Sequence, residues 1–351
     1  MAAWEELVRK VVPYTPGEQP NCSNIIKLNT NENPYPPSPK VLKVLQEIKI
    51  ENLRKYPDPT SQILVEALAE YYGVSKQQVF VGVGSDDVLA MSFLTFFNGS
   101  KPILFPDITY SFYDVWAELY RIPYKCQPLD ENFEIQTEDY LQECGGIVIP
   151  NPNAPTGIEK NLEELEKIIA GNPEIIVIID EAYIDFGGTS ALSLLSKYEN
   201  LLVVQTFSKS RSLAGMRIGY AFGNEKLIKY LNDVKYSFNS YTMDTTALLI
   251  GTEAVKDEVY FRETLQKVIH TRERTKKELQ RLGFIFPDSK SNFIFASHPK
   301  YQAKELFEAL KAADIYVRYF NKPRINNYLR ISIGTDQEMD VLIRFLEKYV
   351  L

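Results

Sequence analysis

The feature that most constrains the fold is a series of short apolar runs separated by helical patterns. Residues Ile175–Ile179 are five consecutive isoleucines and valines, a composition typical of a strand that is covered on both faces. Segments between the runs, such as residues 160–171, have the apolar spacing of crossover helices. The runs are Pro102–Phe105, Gly146–Pro150, Glu174–Asp180 and Leu201–Thr206. This alternation predicts an α/β fold with a doubly wound, mostly parallel sheet.

The length of 351 residues indicates a large and a small domain. Residues 13–40 are rich in Pro, Asn and Tyr and predict an extended arm, whereas residues 61–73 predict an amphipathic helix that ends at Gly73. Residues 251–282 predict a long helix that leaves the large domain. A small α+β domain is predicted from two strands and two helices, at Asn292–Ala296, Tyr328–Ile333, 302–313 and 336–348. We expect an arm with part of the small domain (1–50), a large cofactor-binding domain (51–282) and a C-terminal small domain (283–351).

Composition excludes several classes of protein. A net charge of −7 argues against a nucleic-acid-binding protein. The first residues lack the pattern of a signal peptide, and no window approaches the roughly 20 apolar residues that span a bilayer, so we expect a cytoplasmic protein without a membrane segment. Three separated cysteines (Cys22, Cys126 and Cys144) and two histidines (His270 and His298) argue against disulfides, a metal site and a Ser-His-Asp triad.

Polar residues cluster where two of the predicted strands end. One strand ends in Asp180, with Tyr183 three residues later, and the next is followed by Ser208 and Lys209. Arg217 comes eight residues after Lys209. Because the carboxyl ends of parallel strands line the ligand crevice of such a sheet, we expect these five side chains to face one site.

Their chemistry suits a cofactor that has an aldehyde, a pyridine ring and a phosphate. A buried carboxylate at Asp180 would keep the ring nitrogen protonated, and Lys209 would form the Schiff base and move protons between carbon atoms. Tyr183 would hydrogen-bond the phenolate oxygen of the ring. Ser208 and Arg217 would hold the phosphate, for which arginine supplies a forked donor.

Two upstream segments add candidates for the same site. Residues Val81–Asp87 carry two glycines after an apolar run, which suggests either a loop whose N–H groups meet an anion at a helix start or an ordinary tight turn. A dinucleotide fingerprint needs a third glycine where Asp87 stands, so we reject that reading. In the aromatic segment Ile108–Tyr113, Tyr110 either stacks on a flat cofactor ring or packs in the core.

Taken together, these segments resemble those of fold-type I pyridoxal-phosphate-dependent aminotransferases, and the resemblance runs nearly end to end. The motifs that carry it are LNTNENPYPPSP at 28–39, YPDPT at 56–60, VGVGSDD at 81–87, NPNAPTG at 151–157, DEAYIDF at 180–186 and TFSKSRSLAGMRIGY at 206–220. The resemblance implies pyridoxal 5′-phosphate as cofactor, with Lys209 as the Schiff-base lysine and Asp180, Tyr183 and Tyr110 on the cofactor ring. It places Ser85 and Asp86 beside Ser208 and Arg217 at the phosphate.

The resemblance also implies an obligate homodimer, because Tyr56 is similar to a tyrosine that reaches the neighbouring subunit's cofactor phosphate. Tyr14 and Asn31 resemble residues of an arm that closes over substrate. Arg330 resembles an arginine that grips the substrate carboxylate, and Arg318 resembles one associated with a substrate phosphate. From the residues alone, a structural salt bridge would satisfy either arginine equally well.

The motifs at 28–39 and 56–60 narrow the resemblance to the histidinol-phosphate subfamily, which implies transamination between histidinol phosphate and 2-oxoglutarate. Much of the class has an asparagine that bonds the phenolate oxygen where Ala154 stands, so either Asn153 takes that role or Tyr183 acts without it. The alternatives are an aromatic or broad-specificity aminotransferase, a decarboxylase of a phosphorylated amino acid that uses the same cofactor, and a non-catalytic cofactor-binding regulator.

Overall fold

The computed structural model describes residues 3–20 and 24–350 and contains a seven-stranded sheet. Its spatial order is β2-β8-β7-β6-β5-β3-β4, and neighbouring strands are parallel except for β8, which is antiparallel to both β2 and β7. The strands are β2 (Val79–Gly82), β3 (Ile103–Pro106), β4 (Tyr124–Gln127), β5 (Gly146–Pro150), β6 (Val177–Asp180), β7 (Leu201–Thr206) and β8 (Gly219–Gly223). The predicted α/β class with a mostly parallel sheet is confirmed.

Both faces of this sheet are covered, which explains the uninterrupted apolar runs. Along β6, Val177 and Ile179 belong to one buried cluster and Ile178 to another on the opposite face, as the two-residue period of a strand requires. Helices α2, α5 and α7 contribute to the first cluster, and α3, α4 and α6 contribute to the second. The helices are α1 (Pro39–Glu47), α2 (Gln62–Tyr72), α3 (Gly84–Phe96), α4 (Tyr113–Tyr120), α5 (Leu162–Ala170), α6 (Glu225–Phe238) and α7 (Thr245–Lys256).

A second, four-stranded sheet has the order β1-β10-β11-β9. Strand β1 is parallel to β10, and the other neighbours are antiparallel. Its strands and helices are β1 (Ile26–Leu28), β9 (Phe293–Ala296), β10 (Ile315–Tyr319), β11 (Leu329–Ser332), α8 (Glu258–Arg281), α9 (Ala303–Ala312) and α10 (Asp336–Val350). Leu28 of the arm is buried in the same core as residues of these strands and helices, so the arm is part of this unit. The domain limits at residues 50 and 282 stay a prediction.

The structure corrects the extent of some predicted elements. Helix α2 ends as predicted, with Gly73 in the left-handed conformation at φ 68°. The helix predicted at 251–282 is instead two helices that meet at Asp257 (φ −94°, ψ 65°). Its carboxylate accepts a hydrogen bond from Ser38 and pairs with Lys40, 3.3 Å away, so α1 holds the break in place.

Two further findings concern the described residues as a whole. No helix among them combines the length and the apolar character that crossing a membrane demands. Cys126 is an exposed thiol and Cys144 a buried one, and both are free. Cys22 lies outside the described residues.

Candidate active site

A cavity of about 180 Å³ opens at the carboxyl ends of β5, β6 and β7. These parallel neighbours end at Pro150, Asp180 and Thr206, so the residues that follow them meet at one edge of the sheet. The lining includes Thr30, Ser85, Asp86, Tyr110, Ala154, Asp180, Tyr183, Ser208, Lys209 and Arg217. The structure therefore brings together the five residues that the strand-end pattern predicted, and adds the residues of the 81–87 loop and Tyr110.

Asp180 is a buried carboxylate in this cavity, only 6% exposed. The hydroxyl of Tyr113 donates to its Oδ2 over 2.7 Å, and the backbone N–H of Ala182 donates to its Oδ1 over 3.2 Å. Burial raises the pKa of Asp180 to about 6, although both hydrogen bonds lower it. In the described part of the chain no Lys, Arg or His forms an ion pair with Asp180, so the site has a place for a cationic N–H from a ligand.

Lys209 is held at the cavity by the N-terminal arm. Its Nζ donates to the carbonyl of Thr30 over 3.4 Å and lies 5.6 Å from the centre of the Tyr183 ring. The side-chain amide of Asn33 donates to the backbone carbonyls of Lys209 and Ser210, both over 3.1 Å. Asn33 and Tyr113 were missed at the sequence level, although each lies inside a segment that was singled out.

The other end of the cavity is built for an anion. Arg217 pairs with Asp86 over 3.2 Å and donates to the Ser208 hydroxyl over 3.4 Å. Ser85 and Asp86 lie in the first turn of α3, where backbone N–H groups have no partner within the helix. A Cβ at Gly219 would lie 2.2 Å from the backbone of Gly84, so only glycine allows β8 to approach this turn. The guanidinium of Arg217 lies against the start of the same turn, since a Cβ at Gly84 would lie 2.4 Å from its Nη2.

Tyrosines and the arm cover the cavity from one side. The hydroxyl of Tyr110 donates to Asp86 over 2.8 Å, which fixes its ring over the opening. Tyr14 stacks on Phe112 with ring centroids 4.2 Å apart. Tyr14 and Tyr110 both line an adjoining cavity of about 170 Å³, so the arm covers the site of the same chain.

This adjoining cavity contains two guanidinium groups. Arg318 and Arg330 are cross-strand partners on β10 and β11, and both line the cavity together with Lys209. Arg330 donates to the carbonyl of Asn29 over 2.9 Å, its Nε has no hydrogen-bond partner, and burial lowers its pKa. Neither guanidinium pairs with a carboxylate among residues 3–20 and 24–350. Two unpaired cations beside a lysine favour an anionic ligand over the structural salt bridge.

Two predicted site residues, Asn153 and Tyr56, have other surroundings, whereas Asn31 lines the adjoining cavity. Asn153 lies behind the cavity wall: its amide donates to the carbonyl of Ile108 over 2.9 Å and accepts from the Thr109 hydroxyl over 3.0 Å. Ala154 lines both cavities, so the asparagine position is a methyl group here. Tyr56 is 82% exposed, its ring centroid lies 4.7 Å from that of Tyr241 with the two rings tilted by 31°, and it lines neither cavity of this chain. Asn31 contacts Tyr183 directly, with 2.9 Å between its Nδ2 and the hydroxyl.

A doubly wound sheet whose strand ends hold a lysine, an unpaired buried carboxylate and an anion cradle defines a class of group-transfer enzymes. The chain belongs to the family of class I and II aminotransferases, whose model matches residues 23–346. It is an aminotransferase.

Relatives agree with this class, and solved structures share the fold. A histidinol-phosphate aminotransferase of Lactococcus lactis subsp. cremoris (strain SK11) is 55% identical over 348 residues, which are 99% of this chain and 98% of the relative. One of Clostridium botulinum (strain Langeland) is 52% identical over 347 residues, with 99% and 98% covered. The crystal structure of histidinol-phosphate aminotransferase from Clostridium acetobutylicum superposes with a TM-score of 0.85 at 24% identity, covering 93% of this chain and 99% of that one. The enzyme from Sinorhizobium meliloti, in complex with pyridoxal-5′-phosphate, gives 0.84 at 24% identity, covering 93% and 90%.

Proposed function

We propose that this chain is a pyridoxal-phosphate-dependent histidinol-phosphate aminotransferase of histidine biosynthesis. It transfers the amino group of L-histidinol phosphate to 2-oxoglutarate and yields imidazole acetol phosphate and L-glutamate. The observation that carries the proposal is the pair of unpaired guanidiniums, Arg318 and Arg330, in the cavity that contains Lys209. One substrate brings a phosphate and the other brings carboxylates, so two cations in one cavity serve both. Relatives that bear this name at more than half identity support the same choice.

The residues at the strand ends fit pyridoxal 5′-phosphate. The unpaired carboxylate of Asp180 would accept a hydrogen bond from the protonated ring nitrogen, and the Tyr183 hydroxyl would donate to the phenolate oxygen. Ser208, Arg217 and the first N–H groups of α3 would hold the phosphate, and Tyr110 would cover the ring. When bound, the cofactor supplies an electron sink for the carbon that loses its proton.

In this proposal Lys209 binds the cofactor at rest and acts as the proton carrier during turnover. A lysine freed from the cofactor is neutral when it takes the proton from the substrate carbon and cationic until it returns that proton. The carbonyl of Thr30 accepts a hydrogen bond from Nζ in both protonation states, which keeps the amine on the side of the cavity where the substrate lies.

The two arginines divide the substrates between them. Arg330 would bind the carboxylate of glutamate or 2-oxoglutarate, because its buried guanidinium lacks a partner at Nε. Arg318, its cross-strand neighbour, would meet the phosphate of histidinol phosphate. Tyr14 of the arm would then cover the substrate from the solvent side.

The first test of this assignment is a half-reaction. We expect the visible absorption of the cofactor-loaded protein to disappear on addition of histidinol phosphate alone and to return on addition of 2-oxoglutarate. Conversion by phenylalanine or tyrosine but not by histidinol phosphate would identify an aromatic aminotransferase instead. Release of carbon dioxide from phosphothreonine without an oxo-acid acceptor would identify a decarboxylase.

A second prediction concerns Asp180, whose charge is unfavourable without the cofactor. Its pKa of about 6 in the folded chain lies above the ordinary 3.8, so its contribution to stability is full below about pH 4 and is lost as the pH rises through 6. We expect Asp180→Asn to raise the free energy of unfolding of the cofactor-free protein by about 2–3 kcal/mol at pH 8, from about 2 pKa units, with no change near pH 4. The asparagine side chain keeps an oxygen that accepts from the N–H of Ala182, and its NH2 group can donate to the hydroxyl oxygen of Tyr113.

The cofactor reverses the sign of this effect. In the loaded protein at pH 8 the carboxylate has a cationic partner, so Asp180→Asn lowers the melting temperature and weakens cofactor binding. Chemical denaturation of both forms at pH 4.5 and 8 measures the effect. A loss of stability in the cofactor-free variant at pH 8 would contradict the assignment of Asp180 as a desolvated, unpaired carboxylate.

The protein would act as a cytoplasmic homodimer with shared active sites. Tyr56 and Tyr241 form an exposed aromatic pair, and Phe238, three residues before Tyr241, is 69% exposed. Such rings on one surface favour burial against a second copy, where Tyr56 would reach the partner's cofactor phosphate. A monomeric mass of the loaded protein in solution would overturn this part of the proposal.

A further inference from the structure

A chain of hydrogen bonds runs from the small sheet through the arm to Tyr183 on the large domain. Ser332, the last residue of β11, accepts from the backbone N–H of Asn31 over 2.9 Å and donates to Asn31 Oδ1 over 2.8 Å. Asn31 Nδ2 in turn donates to the Tyr183 hydroxyl over 2.9 Å. Ser332 is 2% exposed and Asn31 is 1% exposed, so water does not compete for these bonds.

The directions of the bonds in this chain follow from two groups of Asn31 that face Ser332, the backbone N–H and the side-chain Oδ1. A backbone N–H only donates, so the Ser332 oxygen must accept from Asn31 and its single hydrogen is free for Oδ1. Oδ1 is then occupied as an acceptor, which turns Nδ2 toward Tyr183. Because the Tyr183 oxygen accepts this bond, its own hydrogen must point elsewhere, and Tyr183 lines both cavities around Lys209.

The backbone of Asn31 is held as firmly as its side chain. It adopts the left-handed conformation at φ 55°, which asparagine tolerates better than most residues. Its carbonyl accepts from the side chain of Asn292, just before β9, over 3.0 Å. Two strands of the small sheet therefore hold the amide that orients a hydroxyl of the large domain.

We propose that Ser332 and Asn31 are positioning residues that make the Tyr183 hydroxyl a donor toward the cofactor. This inference rests on the proposed function, because the acceptor it requires is the phenolate oxygen of the cofactor. Asn153 is bonded to Ile108 and Thr109 and Ala154 has no polar group, so neither supplies a second side-chain donor from that segment. The single bond from Tyr183 then matters more. The same holds for the chain of hydrogen bonds from Ser332 through Asn31 that directs it, which we call the relay.

The relay changes a measurable property of the loaded protein. A donor at the phenolate oxygen draws negative charge away from the nitrogen that joins Lys209 to the cofactor, so that nitrogen loses its proton at a lower pH. In Ser332→Ala, Asn31 loses the partner that fixes its amide, and the amide rotates to accept from Tyr183. The hydroxyl then points away from the cofactor. The midpoint pH, at which the visible absorption of the loaded protein is half changed, therefore rises.

The experiment is a pH titration of the visible absorption of four loaded variants. From the strength of a hydrogen bond to a charged group, we expect the midpoint to rise by about 1–2 units in Tyr183→Phe and by about 0.5–1 unit in Ser332→Ala. Ser332→Thr keeps the hydroxyl, so its midpoint should lie close to that of the wild type. Ser297→Ala is a matched control, since Ser297 is also buried on the small domain but contacts Asn327.

The double variant Ser332→Ala with Tyr183→Phe separates the relay from a general loosening of the domain. If the relay acts through Tyr183, the double variant has the midpoint of Tyr183→Phe alone. An unchanged midpoint in Ser332→Ala, or a full additional shift in the double variant, would overturn the inference. A loaded protein without any Lys209-dependent visible absorption would instead overturn the proposed function.

Discussion

We expect replacement of Lys209 with alanine to lower kcat for transamination by at least about 10⁴-fold, the upper range of general acid–base catalysis, since the role proposed for this residue also includes the covalent link to the cofactor. The structure offers no substitute for its amine. Of the described side chains that line either cavity, Lys209 is the only lysine, and the other cations are the guanidiniums, which do not release a proton near neutral pH. The folded state should persist, because Nζ makes one long hydrogen bond, to Thr30.

Two measurements separate this effect from a loss of structure or of cofactor. Borohydride reduction of the loaded wild type should fix the cofactor to the peptide that contains Lys209, and the variant should bind cofactor without becoming labelled. Lys304→Ala on the exposed face of α9 is the matched control and should keep full activity. Retention of near-normal turnover by the Lys209 variant would remove this residue from the mechanism.

The large sheet was predictable because its signal is local. A strand buried on both faces is mostly apolar, as in the run Leu201–Val204, and β7 has the predicted bounds Leu201–Thr206. The strand predicted from Glu174 begins at Val177, since Ile175 still bonds Asn172 in a turn. Strands β1, β4, β8 and β10 were not predicted. Strand β1, for example, has three residues and pairs only with β10, with Ile26 opposite Ile315.

The site shows the same division between local and distant information. Asp180 ends one predicted strand and Lys209 follows the next, and the rule that parallel strands end at one edge was enough to bring them together. Ser332 had no such signal: its only distinction is a hydrogen bond to a residue 301 positions away. The side-chain direction of Asn153 was likewise unreadable, because it depends on the carbonyl of Ile108 on another loop.

The second large effect expected is on the choice between substrates. In Arg330→Gln we expect kcat/KM for glutamate and 2-oxoglutarate to fall by about 10²–10³-fold, as when one partner of a buried charge pair is removed. The half-reaction with histidinol phosphate should fall by less than about 10-fold, because this substrate has no carboxylate. Single-turnover kinetics with each substrate separately would measure both values.

Arg318→Gln should show the opposite preference, with the larger loss for histidinol phosphate. The two guanidiniums share a cavity and are cross-strand neighbours on β10 and β11. Besides burial, the positive charge of Arg318 therefore lowers the pKa of Arg330. Removing Arg318 therefore favours the charged form of Arg330, and the affinity for the substrate carboxylate should stay the same or increase. Arg344→Gln, exposed on α10, is the control for a change of net charge alone. Equal losses for both substrates in both variants would mean that the arginines bind a common group, and the division of labour proposed for them would be wrong.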